Sequence, residues 1–96
     1  MEIDHTVLSL NPDGKVLERH ELELLDHGFV VISVSNTIQA RFEIEMGRCG
    51  IFLTSYVTPA IICYDLVLLF RRNCPQGRVV FVTQDPSNTL LAWIIR

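Results

Sequence analysis

Lysine is almost missing from this chain: Lys15 is the only one, and charged residues of every kind make up 20% of the 96 positions. No basic run is longer than Arg71-Arg72, the net charge is -3 and the pI is near 5.5. The long-range attraction that phosphate backbones or anionic lipid require is therefore lacking, which disfavours nucleic-acid binding. Cysteine is scarce as well. Cys49, Cys63 and Cys74 form an odd set with no Cys-x-x-Cys spacing, and the first residues lack the basic-then-apolar pattern of a signal peptide. A reducing cytoplasm is the expected location. Glycine does not gather into a phosphate loop, since Gly14 stands alone, and no G-x-S-x-G elbow marks a hydrolase nucleophile.

Apolar residues fill the space that charge leaves. They account for 49% of the chain, and the mean hydropathy is +0.32, more apolar surface than a small monomer usually hides. A chain this short supports one hydrophobic core, so residues 1–96 are expected to form one domain with a protein partner. Residues 49–70 contain a single charge, Asp65, over a length that could cross a bilayer. Thr54, Ser55, Thr58 and Pro59 interrupt that stretch and read instead as a strand end, a turn and a helix start, so no membrane span is expected.

Read in order, strand and helix signals alternate. Residues 6–10 form a short apolar run closed by Asn11-Pro12-Asp13-Gly14, a turn cluster. Over residues 15–27, Val16, Leu17, Leu24 and Leu25 recur at helical spacing until Gly28 stops the helix. The run FVVISV, residues 29–34, has the composition of a strand covered on both faces. Asn36 with Gln39 caps a second helix, in which Ile38, Phe42 and Met46 fall on one stripe before Gly47. Residues 50–54 form a third strand. Thr58-Pro59 opens a third helix running to about Arg72, and Asn73, Pro75 and Gly77 break the chain before a fourth strand at residues 79–82. Residues 89–96 fit either a helix opened by Asp85-Pro86 or an antiparallel strand returned by a turn.

This alternation implies an α/β three-layer sandwich, a parallel sheet with helices on both faces. The order of elements, and the stretches Asn11-Pro12-Asp13, Asp26-His27-Gly28-Phe29-Val30-Val31, Val34-Ser35-Asn36, the strand-turn from Ile51 to Pro59 and Val80-Phe81-Val82-Thr83, resemble the receiver domain of two-component response regulators over residues 6–85. The resemblance implies a flavodoxin-like fold with four parallel strands in the order 2-1-3-4 and room for a C-terminal edge strand. It also implies a functional corner. Receivers bind Mg²⁺ through acidic residues after the first strand and take up phosphate on an aspartate closing the third. Aligned on Pro59 and Gly28, those positions hold Asn11, Pro12 and Ser55, and none is acidic.

Asp13 lies one residue farther on, a lone carboxylate that gives Mg²⁺ little reason to shed water. Ser55 is an unactivated hydroxyl with neither the charge nor the adjacent base that the chemistry needs. Thr83 alone keeps its family identity, and no lysine matches the one with which receivers contact phosphate. The resemblance thus points to a pseudo-receiver with no metal, no cofactor and no catalysis, acting through protein contact. The third helix is apolar around nearly its whole circumference, and the fourth strand would be a bare edge unless the tail covers it. Ile61, Tyr64, Leu68, Val79, Phe81, Leu91 and Trp93 are therefore the expected interface, with a homodimer as the expected assembly. An alternative is a small-ligand or nucleotide site at the carboxyl ends of the strands, where Asn11, Ser55 and Thr83 would converge. His20 and His27 read as one half-buried and one capping histidine, and Cys49 and Cys63 as small hydrophobes.

Overall fold

Each apolar run becomes a strand where a turn residue closes it, and each capped segment between runs becomes a helix. In the computed structural model, which describes residues 3–55, 60–84 and 90–95, a short 3-10 turn at Ile3–His5 leads into β1 (Thr6–Leu10). Then come α1 (Gly14–Asp26), β2 (Val30–Val34), α2 (Thr37–Met46), β3 (Ile51–Ser55), α3 (Ala60–Asn73), β4 (Arg78–Gln84) and β5 (Leu90–Ile95). The local chemistry accounts for the helix boundaries. Asn36 caps α2 by accepting the Gln39 N–H at 2.8 Å, and Gly47 ends it in the left-handed region at φ 68° that an L side chain rarely adopts. His27 closes α1: its backbone N–H donates to the carbonyls of Glu23 and Leu24, and its Nδ1 lies 2.8 Å from the Glu23 carbonyl oxygen. The expected Thr58-Pro59 start of α3 lies outside the described residues.

The strands form one sheet in the order β2-β1-β3-β4-β5. The first four are parallel, as the alternation predicts, while β5 runs antiparallel to β4 from Val79↔Ile95 to Gln84↔Leu90. The tail is thus a strand and not a helix. It pairs along the edge that β4 would otherwise leave bare, within the same chain. The run FVVISV, read as covered on both faces, instead lies at the opposite edge as β2, with Val30 exposed.

The helices divide unequally between the two faces. On one face Leu8, Leu10, Phe52 and Val79 from the strands pack against Ala40 and Ile44 of α2 and Leu66, Val67 and Phe70 of α3. Phe52 and Phe70 meet ring to ring at 5.8 Å. On the other face Val7 and Leu53 are buried, with Leu24 of α1 and Phe29, Ile51 and Val80 partly covered around them.

Two expectations change here. Val79, assigned to an interface, is fully buried, because it faces the α2–α3 side between two strand neighbours; Phe81 also packs against that core and is only partly buried. The stripe that signalled α2, Ile38, Phe42 and Met46, is exposed, and Ala40 and Ile44 form the packed side. The weakly charged stretch 49–70 divides between β3 and α3, and no helix among the described residues is long and apolar enough to cross a membrane.

Candidate functional site

The corner at the carboxyl end of β1 is built by two side chains that both bond backbone N–H groups. Asn11 is buried just past Leu10; its own N–H donates to the Val34 carbonyl at 3.2 Å, which ties the corner to β2. Its Oδ1 accepts the Asp13 N–H at 2.9 Å, folding Asn11-Pro12-Asp13 into a tight turn. Asp13 then caps α1: its Oδ1 accepts from the Lys15 N–H at 3.0 Å and the Val16 N–H at 3.4 Å. A carboxylate in this place neutralises orphan donors and the positive end of the helix dipole. Pro12 is exposed and has no N–H to offer.

The strand register brings the other candidates to the same end of the sheet. Leu10 pairs Thr54, so Asn11 stands level with Ser55, and Ser55 pairs Val82, the residue before Thr83. Thr83 in turn pairs Leu91 of β5. The side chains of Ser55 and Thr83 lie outside the described residues, as do those of Ile61, Leu91 and Trp93. Tyr64 and Leu68, from the expected interface, are exposed on α3.

This donor set does not fit a divalent cation. Mg²⁺ requires charged oxygens around an octahedron, whereas Asn11 offers an amide oxygen already bonded to an N–H, Pro12 offers nothing, and Asp13 is bonded to the α1 N-terminus. Among the described residues no three His, Cys, Asp or Glu side chains gather where they could hold a metal.

Two groups elsewhere are perturbed by burial. The Cys49 thiol is pushed up to about 11, first by desolvation and then by neighbouring Cys74 and Glu43, so it stays protonated and behaves as a small core hydrophobe. Burial also lowers His20, against the opposing pull of Glu23 and with a smaller contribution from Arg19. An open groove of about 480 Å³ lies at the opposite end of the sheet, lined by Asp4, His5, Phe29, Gly50, Ile51, Gln76 and Arg78. Its residues come from four separate stretches with no shared motif, so only the folded chain assembles it.

No protein-family model matches the chain, and no curated protein matches it. Among solved structures it is similar to the chemotaxis protein CheY4 of Vibrio cholerae, with a TM-score of 0.70, 14% identity, and coverage of 85% of this chain and 72% of that one. It is also similar to a pilus assembly-related protein of Burkholderia pseudomallei K96243, with a TM-score of 0.70, 15% identity, and coverage of 92% and 68%. At these identities the likeness concerns the fold: four parallel strands in the order 2-1-3-4 with flanking helices make this chain a receiver-like, flavodoxin-like α/β sandwich.

Proposed function

We propose that the chain is a pseudo-receiver: it keeps the receiver scaffold and works through protein contact in signalling or regulation, without phosphate uptake at the usual position and without catalysis. One observation carries the reading. The side-chain oxygens at the corner where a receiver would hold its cation, those of Asn11 and Asp13, accept backbone N–H groups, and a serine stands at the acceptor position. A serine ester would lack the lability of the acyl phosphate that the resemblance implies.

The contact side of the proposal draws on Tyr64 and Leu68, which a surface helix would ordinarily fill with polar residues. A homodimer in the cytoplasm, with no nucleic acid bound, fits the acidic charge and the high apolar content. The test is incubation of the chain with Mg²⁺ and a small-molecule phosphodonor, followed by intact mass measurement. The mass is expected to stay constant. A gain of one labile phosphoryl group would overturn the reading.

A further inference from the structure

Both helices on the crowded face of the sheet have a second apolar side. On α2, Ala40 and Ile44 pack inward, while Ile38 (81% exposed), Phe42 (56%) and Met46 (54%) project the other way. At roughly 100° per residue these three span only about 80° of arc, centred opposite the buried pair. On α3, Leu66, Val67 and Phe70 pack inward, and Tyr64 (63%) and Leu68 (47%) project outward. The two helices lie side by side over one core, so both outward rows face away from the sheet on the same side of the molecule.

The charges along that face identify its occupant. Arg41 and Glu45 flank the α2 row on one side; they are loosely paired at 3.9 Å, and both side chains are 55% exposed. On the other flank Glu43 is already held by Arg48 through two bonds of 2.8 and 2.7 Å. Only the first flank thus carries charges free to turn outward, one of each sign, one helical turn apart. A parallel two-fold neighbour would set the Arg41 and Glu45 flank against the Glu43 flank of the other copy, whose carboxylate Arg48 already holds. An antiparallel neighbour reverses the order and sets each arginine against a glutamate, with Phe42 near the two-fold axis and Ile38 opposite Met46. Such self-complementarity is what a two-fold interface requires.

We propose that a second copy of this chain docks on the outer face of α2 and α3, with α2 antiparallel to α2 and Arg41 of each copy beside Glu45 of the other. The proposal rests on the contact-module reading above and names its seam. Light scattering on the 96-residue chain, from low micromolar to near-millimolar concentration, is expected to show a dimer. Phe42→Glu is expected to raise the dimer dissociation constant at least about thirtyfold. Because Phe42 is outside the packed side of α2, the variant should keep the wild-type circular dichroism. Arg41→Glu and Glu45→Arg should each weaken self-association, and an equimolar mixture of these two variants should recover it. The intrahelical pair is broken in both variants, so only contact between copies accounts for recovery on mixing. A wild-type chain that stays monomeric throughout, a dimer indifferent to Phe42→Glu, or a mixture that does not recover would overturn the proposal. Phosphoryl uptake by a dimer would sink the pseudo-receiver reading and leave the seam standing; a monomer without uptake would do the reverse.

Discussion

At the end of β1 the side chains of Asn11 and Asp13 serve the backbone. A carboxylate left at a metal corner without its partners carries unneutralised charge, but the same group one residue farther along meets the N–H groups of α1 and is stabilised by them. Asp13 is therefore expected to matter for folding and not for cation binding. Asp13→Ala should lower stability by about 1 kcal/mol, while Asp13→Asn, whose amide oxygen can accept the same bonds, should cost only a few tenths. Thermal melts with and without magnesium check this, and a melting temperature of the wild type that rises with magnesium while Asp13→Asn does not respond would contradict it. The sequence placed Asp13 only in a turn cluster, and its capping role shows in the bonds it accepts from Lys15 and Val16. The burial of Asn11 is not legible there either, because it depends on β2 supplying the Val34 carbonyl from a distant part of the chain.

Among the elements, the turn from α3 into β4 is closely packed. Cys74 donates to the Phe70 carbonyl and Gly77 to the Cys74 carbonyl, and Arg78 then begins the strand. A methyl group on Gly77 would stand 2.6 Å from the Phe70 ring and 2.9 Å from the Cys74 sulfur. Phe70 is fully buried against Phe52 and has little room to give. Gly77→Ala is accordingly expected to destabilise the fold by about 1–3 kcal/mol, the range for overpacking, measured as the shift in urea midpoint. An unchanged midpoint would mean that the ring moves aside freely. The sequence shows Gly77 only as a chain breaker. That a phenylalanine ring occupies the space beside it follows from how α3 packs on the sheet.

At the scale of the molecule the two sheet faces are unequal among the described residues: α2 and α3 pack on one and α1 on the other. His20 is the buried residue of α1, and its lowered pKa ties the docking of that helix to pH. The unfolded chain takes up the proton near the ordinary value of about 6.5, whereas the folded chain resists until a lower pH. Above that ordinary value both states are neutral and His20 adds no pH dependence. As pH falls below it the unfolded state binds more proton and global stability declines, levelling off below the folded pKa. Urea midpoints from about pH 8 down to about pH 5 should therefore fall in the wild type, and His20→Leu should flatten that part of the curve. An identical slope in the variant would assign the decline to another group.

Alternation of strand and helix, the cap at Asn36, the stops at Gly28 and Gly47, and the lack of carboxylates at Asn11, Pro12 and Ser55 were all readable from the residues alone. Each is decided within a few positions by backbone hydrogen bonding and φ preference, so neighbours along the chain suffice. Other features waited for the fold. Residues 90–95 have the composition for either state and became a strand only because β4 offered an open edge. β2 has the composition of a central strand but lies at the border of the sheet. α2 has two apolar sides, and the one carrying the small Ala40 packs inward, leaving Phe42 outside. Periodicity reports that a side is apolar, but which of two sides is covered depends on surfaces that distant segments bring together.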